Sequence, residues 1–397
     1  MPQRPAMMGE QAQVYTLEQM FRAAIAGQKA VAVWRLPLSD KVQACVQLGQ
    51  QYTTGQPQLE TSPFGFFFCP FQVSNQEQNI FIKGDIYLDG DTLAPAADAP
   101  QQQLQEFYTS LQEPPGINGW HTSTKPEDYT YQTEQGFITA VEKAVEAIQA
   151  EQMEKVVLSR NSLESLPEGF SPVAAFEDMA AAYPRAFVSL VSVPGVGTWM
   201  GASPEILVSI NEQQVFHTMA LAGTQTAVEN VADAIWRQKE IEEQAMVERY
   251  ILSCFKKLRL REYTEVGPKT IVAGNLMHLR TDFKVNLKDV HFPTLGTDML
   301  ELLHPTSAVC GLPKEPALAF ILAHEGYNRS YYSGYLGPVN STTGSHLYVN
   351  LRCMQLQQQQ AILYAGAGIT EASDPQKEWQ ETQHKMQTMG KVLDVIR

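Results

Sequence analysis

Three stretches before residue 90, Ala30–Leu36, Phe64–Val73 and Asn79–Leu88, are so rich in aromatic and branched side chains that each reads as a strand. The second holds Phe66, Phe67 and Phe68 in succession. Three adjacent rings suit an aromatic binding platform, but a run that is apolar at every position, rather than at alternate ones, is better explained by a strand buried on both faces. The first third of the chain is therefore expected to be largely β.

From Ala94 to about Asp128, Pro95, Pro100, Pro114, Pro115 and Pro126 surround a glutamine run at Gln101–Gln103. That composition interrupts regular structure and predicts an internal connection. Beyond it, Thr133 can cap a helix whose apolar residues Phe137, Val141, Ala144, Val145 and Ile148 follow helical spacing. Lys155-Val-Val-Leu-Ser-Arg160 is a short β-prone run, and strands and helices alternate from there to the C terminus. A long charged helix is predicted from about Val231 to Leu260, and a last helix from Asp374-Pro375, where Asp caps and Pro suits the first turn. The run Gln357–Gln360 marks a turn between predicted strands Leu347–Met354 and Ala361–Tyr364. No internal repeat of fixed period is present.

With 397 residues, 44% hydrophobic and 18% charged, the chain can bury a large core and lacks the bias of a disordered protein. Its net charge of −14 argues against a nucleic-acid partner, because phosphate-backbone affinity comes from clustered Lys and Arg. Cys45, Cys69, Cys254, Cys310 and Cys353 are odd in number, scattered and never in a C-x-x-C arrangement, so they read as reduced, mostly buried thiols. Arg4, Glu10, Glu18 and Arg22 interrupt the apolar stretches of the first thirty residues. Neither a signal peptide nor a membrane span is expected, and a cytoplasmic location is.

Four features could carry chemistry. On the last helix Glu378, Glu381 and Lys385 share a face at spacings of three and four, just after the small-residue strand end Ala365-Gly366-Ala367-Gly368-Ile369. A solvated acidic face is the alternative, but small residues beside carboxylates make a plausible site rim. Glu240, Glu242, Glu243 and Glu248 form a second acidic helix, and hard oxygen ligands from two helices are what Mg²⁺ prefers. Lys155 heads an apolar strand, where it can serve as a base only if burial or a neighbouring cation lowers its pKa. Glu205, in Met200-Gly-Ala-Ser-Pro-Glu205, leads into Ile206, Leu207 and Val208, and a carboxyl among apolar side chains can be kept as a proton donor. Read singly, Lys155 is better explained as an exposed strand-end lysine and Glu205 as an ordinary strand glutamate.

Taken together, these segments resemble the chorismate-utilising enzymes. The resemblance runs from about Thr133 to Arg397 and rests on Lys155-Val-Val-Leu-Ser-Arg160, Gly201-Ala-Ser-Pro-Glu205, Leu221-Ala-Gly-Thr224, Leu303-His-Pro-Thr306, Leu351-Arg352, Ala365-Gly-Ala-Gly-Ile369 and Glu378-Trp-Gln-Glu-Thr382, all in the family's order. Phe64–Pro70 also resembles the N-terminal strand of isochorismate synthases. Gln244 departs from the family, which commonly has histidine after the first metal glutamate. Arg280 stands where a small residue is frequent.

The resemblance implies an α+β fold with two large, mostly antiparallel β-sheets packed face to face and helices outside. It implies one unit over 1–397, with a divergent β-rich part to 132, a proline-rich insertion near 94–128 and a catalytic core over 133–397. Ammonia-using members typically carry glutamine where Lys155 stands, and the aminodeoxychorismate-forming ones add a lysine in the segment occupied by Leu221–Thr224. Lys155 with Ala222 resembles the water-activating branch.

For that branch the implied reaction is isochorismate synthase chemistry, in menaquinone or siderophore synthesis, with Lys155 as base and Glu205 as acid. Mg²⁺ is implied on Glu243 and Glu381, with Glu378 as a further or outer ligand. Substrate contacts are implied for Arg352, Lys385, Gly223, Thr224, Ala308 and Gly366. The implied partner is chorismate, with no obligate protein partner. A salicylate synthase, which goes on to eliminate pyruvate, and a non-catalytic chorismate-binding protein are the alternatives.

Overall fold

A computed structural model describes residues 15–395 except 50–51, 53–54, 76, 113–118, 125–131, 229 and 274–275. The chain opens with α1 (Leu17–Ala26), β1 (Ala30–Arg35), β2 (Val42–Gln47), β3 (Gly65–Cys69), β4 (Ile80–Lys83), β5 (Ile86–Asp89), β6 (Thr92–Pro95) and α2 (Gln101–Gln112). Next come α3 (Glu134–Gln149), β7 (Lys155–Ser165), α4 (Pro172–Ala182), β8 (Phe187–Val193), β9 (Gly197–Ser203), β10 (Ile206–Asn211), β11 (Val215–Thr226) and α5 (Gln238–Lys257). The last part holds β12 (Thr264–Ala273), β13 (Leu276–Asn286), α6 (Leu295–Leu303), β14 (Gly311–Leu312), α7 (Lys314–His324), β15 (Tyr335–Val339), β16 (Gly344–Val349), β17 (Cys353–Leu356), β18 (Gln360–Ile369) and α8 (Pro375–Val395).

The strands form two sheets in which every paired neighbour is antiparallel, as the resemblance implied. One has ten strands in the order β14-β7-β18-β17-β9-β8-β1-β2-β5-β6, the other eight in the order β12-β13-β11-β10-β16-β15-β3-β4. Between their facing surfaces lies a core that draws Trp34, Phe187, Trp199 and Tyr364 from the first sheet and Phe66, Phe68, Leu336 and Tyr348 from the second. Phe187 and Tyr348 stack across the gap at 4.2 Å and 2°. The outer face of the ten-stranded sheet is covered by α1, α2, α4 and α8, and that of the eight-stranded sheet by α5 and α6. Phe67 points to that second outer core while its neighbours point inward, and all three rings are buried. The aromatic run is thus a strand filled on both faces.

Several helix signals act as read. Thr133 accepts from Gly136 N–H and caps α3. Asp374 accepts from Lys377 N–H at 3.0 Å, directly before Pro375 opens α8. The turn at 357–359 separates β17 from β18. All five cysteines are buried and unbridged. No helix among the described residues is long and apolar enough to cross a membrane.

Other expectations need correction. The segment from Ala94 contains α2: Leu104, Phe107 and Leu111 are buried at helical spacing, and Leu104 N–H bonds Pro100 O at 2.9 Å, so Pro100 starts a helix instead of ending structure. Pro114, Pro115 and Pro126 lie outside the described residues, as do Arg4 and Glu10. The predicted helix from Val231 begins at Gln238, after a 3₁₀ turn at Val231–Asp233. Two predicted strands are each two strands. Asn79–Leu88 divides at Gly84-Asp85 and Leu347–Met354 at Asn350–Arg352, and in both cases the chain passes from the eight-stranded sheet to the ten-stranded one.

Phe187 is fully buried against Tyr348, so Phe187→Ala should cost about 3–5 kcal/mol in denaturant unfolding. A loss below about 1 kcal/mol would mean that this stack does not join the sheets.

Candidate active site

The site forms where the chain changes sheets. β9 leads through Pro204 and Glu205 into β10, and β16 leads through Asn350, Leu351 and Arg352 into β17, and the two crossings run side by side. Val349 N–H bonds Glu205 O and Ala202 N–H bonds Arg352 O, both at 3.0 Å, while Ser203 Oγ donates to Val349 O at 2.6 Å. Arg352 adopts φ +48°, a left-handed conformation that costs an L-residue roughly 1–2 kcal/mol. Such strain persists where the surroundings hold it, and here it turns the chain between sheets at the cleft.

Next to these crossings is a cleft, open to solvent on one side and lined by both charged and apolar side chains. Its lining includes Lys155, Glu205, Gly223, Thr224, Glu243, Ala308, Arg352, Gly366, Glu381 and Lys385, so ten of the eleven candidates named from sequence come together. Glu378 does not line it. Its buried carboxylate lies beside the cleft, paired with Lys239 at 2.5 Å.

Each side chain is placed by its element. Lys155, the first residue of β7, is 2% exposed. β18 runs antiparallel alongside, and a Cβ on Gly368 would lie 3.1 Å from Lys155 Cε and 3.6 Å from the Glu243 carboxyl carbon. The small residues of this strand therefore leave room for the lysine and the glutamate. Gly223, at φ +62°, forms a bulge between Ala222 and Thr224, and a Cβ there would come within 3.1 Å of Glu240 on α5. Lys385 reaches back from α8 to Gly366 O at 2.8 Å and pairs with Glu381 at 2.5 Å.

Burial sets the protonation of the group. It lowers the proton affinity of Lys155, with Lys385 and Lys239 acting in the same direction against Glu243 and Glu205. Glu205 is pushed up to about 8 by burial, which outweighs Lys155, Arg352 and Lys385. Glu243 is likewise raised by burial, against Lys155 and Lys239. Glu378 is raised to about 7 by burial, which overcomes Lys239. For Glu381 burial pushes upward too, but Lys385, Lys239 and Arg352 prevail and hold it below the usual range. Among the described residues no hydrogen bond or ion pair engages the side chain of Lys155 or Arg352.

Sequence reasoning missed several lining residues. His278 on β13 is 4% exposed, and its Nδ1 lies 3.1 Å from Gly223 O. A carbonyl only accepts, so Nδ1 carries the proton and the unpartnered Nε2 is an acceptor. Burial, with Arg352 and Lys385 nearby, pushes this histidine down to about 3 and keeps it neutral. Tyr332 and Tyr364 form a wall of rings stacked at 5.2 Å. A lone histidine and two tyrosines carry no spacing signal, and only the fold gathers them.

The structure also accounts for two sequence departures. Gln244 accepts from Ala222 N–H at 3.0 Å and donates to Thr281 Oγ1 at 3.1 Å, tying α5 to β11 and β13. Arg280 turns away from the cleft to Asp282, at 2.6 Å.

The chain is 29% identical over 285 residues to isochorismate synthase DhbC of Bacillus subtilis, covering 68% of this chain and 69% of that one. It is 29% identical over 302 residues to isochorismate synthase EntC of Escherichia coli, covering 74% of each. The fold matches the solved structure of MenF, the menaquinone-specific isochorismate synthase of Escherichia coli, with a TM-score of 0.74 and 21% identity over 94% of this chain and 91% of that one. A profile of the chorismate binding enzymes matches residues 39–394, taking in much of the N-terminal part as well as the region after Thr133. The chain therefore belongs to the chorismate-binding enzyme family.

Proposed function

We propose that the chain is an isochorismate synthase, which isomerises chorismate by adding water at ring carbon 2 with loss of the hydroxyl at carbon 4. The observation that carries this reading is the opposed pair in one cleft: a buried lysine with lowered proton affinity and a buried glutamate raised to about 8. Burial thus favours the neutral amine of the first, which can accept a proton, and keeps a proton on the second to give. Lys155 takes the proton of the attacking water, and Glu205 protonates the departing hydroxyl. The unengaged guanidinium of Arg352 suits a substrate carboxylate, which it can meet in two-pronged fashion. Lys385 adds positive charge, Gly223, Thr224, Ala308 and Gly366 supply backbone and small-residue contacts, and His278 Nε2 accepts from a substrate hydroxyl.

The acidic residues fit a hard divalent cation. Glu378 Oε2 is buried without a partner, and Glu243 and Glu381 line the cleft next to it. Among the described residues no three His, Cys, Asp or Glu close into a preformed cage, and Mg²⁺ commonly takes one or two carboxylates and completes its shell with waters and substrate oxygens. Glu243 and Glu381, with Glu378 behind them, would hold Mg²⁺, which when bound neutralises and orients the substrate carboxylate. Lys239 and Lys385 balance the carboxylates.

Both sheets take strands from before and after residue 132, which supports reading 1–397 as one catalytic unit. The unbridged cysteines are in keeping with a cytoplasmic enzyme.

Incubation with chorismate and Mg²⁺ should accumulate isochorismate without pyruvate; release of salicylate and pyruvate would instead identify a salicylate synthase. Lys155→Gln should lower kcat by about 10²–10⁴-fold with the fold retained by circular dichroism, and undiminished water addition would remove the lysine from the role of base. Because Glu205 must be protonated to act, kcat should fall as pH rises through about 8. A rate that stays level well above that pH would assign the acid elsewhere.

A further inference from the structure

Arg160 is a buried charge that the reaction leaves unused. It lies on β7, five residues beyond Lys155 and on the opposite face. Lys155 and Val157 line the cleft, whereas Val156 and Leu158 pack outward with Ala367 and Ile369 against α3 and α7. Arg160 is 3% exposed. Two other buried arginines are fully compensated. Arg329 pairs with Glu325 at 2.6 Å, and Arg35 donates to the carbonyls of Leu36, Ala180, Tyr183 and Pro184. Among the described residues no carboxylate lies within ion-pairing distance of Arg160, and its Nη2 has no partner. Its guanidinium donates through Nε to Thr382 Oγ1 at 2.7 Å and lies 3.9 Å over the ring of Trp379. Thr382 Oγ1 in turn donates to Trp379 O at 2.7 Å.

Both contacts fall on the first two turns of α8, where a clamp is needed. The C-terminal half of this helix is oriented by an apolar stripe, Met386, Met389, Val392 and Leu393. In the first half the buried side chains are Glu378 and Thr382, both polar, with Trp379 only partly buried. Apart from Trp379, whose ring lies 5.9 Å from that of Phe137 on α3, apolar packing does little to set the rotation of those turns. With 3.6 residues per turn, Trp379 and Thr382 lie roughly 100° around the helix from Glu378 and Glu381, so whatever fixes one pair fixes the other. An unpaired charge in a dry site is costly, and here it is retained where it holds the carboxylate helix to the strand that bears the lysine.

We propose that Arg160 is a positioning residue that sets the rotation of the first two turns of α8 and thereby presents Glu381 to the cleft and holds Glu378 beside it. Its consequence for the metal rests on the function proposed above; its effect on the helix does not. Two measurements on the full chain test it. Isothermal titration with Mg²⁺ should show an affinity about 10–100-fold weaker in Arg160→Met, which keeps the apolar stem, and a smaller loss in Thr382→Val. At saturating Mg²⁺ kcat should recover and the pH limb near 8 should stay in place, because Lys155 and Glu205 are untouched. Hydrogen exchange should quicken in residues 375–383 of both variants and remain slow in 386–394.

Unchanged exchange in 375–383 overturns the proposal, as does unchanged Mg²⁺ affinity in folded variants of a wild type that binds the ion. If Arg160→Met fails to fold, Thr382→Val decides by the same readouts. If the wild type binds no Mg²⁺, the metal reading has failed, and exchange alone decides the role of Arg160.

Discussion

Two neighbouring strand connections, 204–205 and 350–352, cross from one sheet to the other with hydrogen bonds between the two crossing segments, and the site depends on that pairing. Leaving a sheet exposes backbone donors and acceptors, and stranding them in an interior is costly. Here the bonds from Val349 N–H to Glu205 O and from Ala202 N–H to Arg352 O let both chains leave together. The consequence is functional. Glu205 and Arg352 occupy the crossings themselves, at the end of the inter-sheet aromatic core, where the sheets part enough to leave a cleft.

Around that cleft charge is balanced rather than absent. Lys155, Arg352 and Lys385 face Glu205, Glu243 and Glu381, and Lys239 with Glu378 adds one pair beside it. Burial penalises every charge in the group, so the least costly arrangement moves protons: lysine 155 holds its proton less tightly and glutamate 205 more tightly than in water. The acid–base pair follows from desolvation of a balanced cluster and needs no special geometry at either residue. Glu381 escapes this trend because Lys385 is in direct contact with it, leaving an anion at the cleft.

Much of this was legible along the chain. The caps at Thr133 and Asp374 are local chemistry, in which a side-chain oxygen meets a free N–H within one turn, and they act as read. The carboxylates at 378 and 381 share a face by helical spacing alone. The prolines of the glutamine-rich segment predict an interruption, whereas Pro100 stands just before a helix whose Leu104, Phe107 and Leu111 find a core. The sheet changes at Gly84-Asp85 and Asn350–Arg352 are hidden for a different reason: the strands on either side of each crossing are mostly apolar and buried, so each run reads as one strand.

By itself the sequence determined the kinds of element, most of their starts, the apolar material for two sheets, and the order of motifs that marks the family. It also supplied Lys155, Glu205 and the carboxylates as residue types suited to acid–base and metal chemistry. Only the tertiary structure decided which of them meet, since Lys155, Glu205, His278, Arg352 and Glu381 come from different elements and converge through sheet packing. It alone decided that Glu378 stands behind the cleft, that Arg160 grips α8, and that Gly368 makes room for a side chain. Local sequence specifies dihedral preference and which face is apolar; pKa and contact depend on burial and distance, which exist only once the two sheets close on each other.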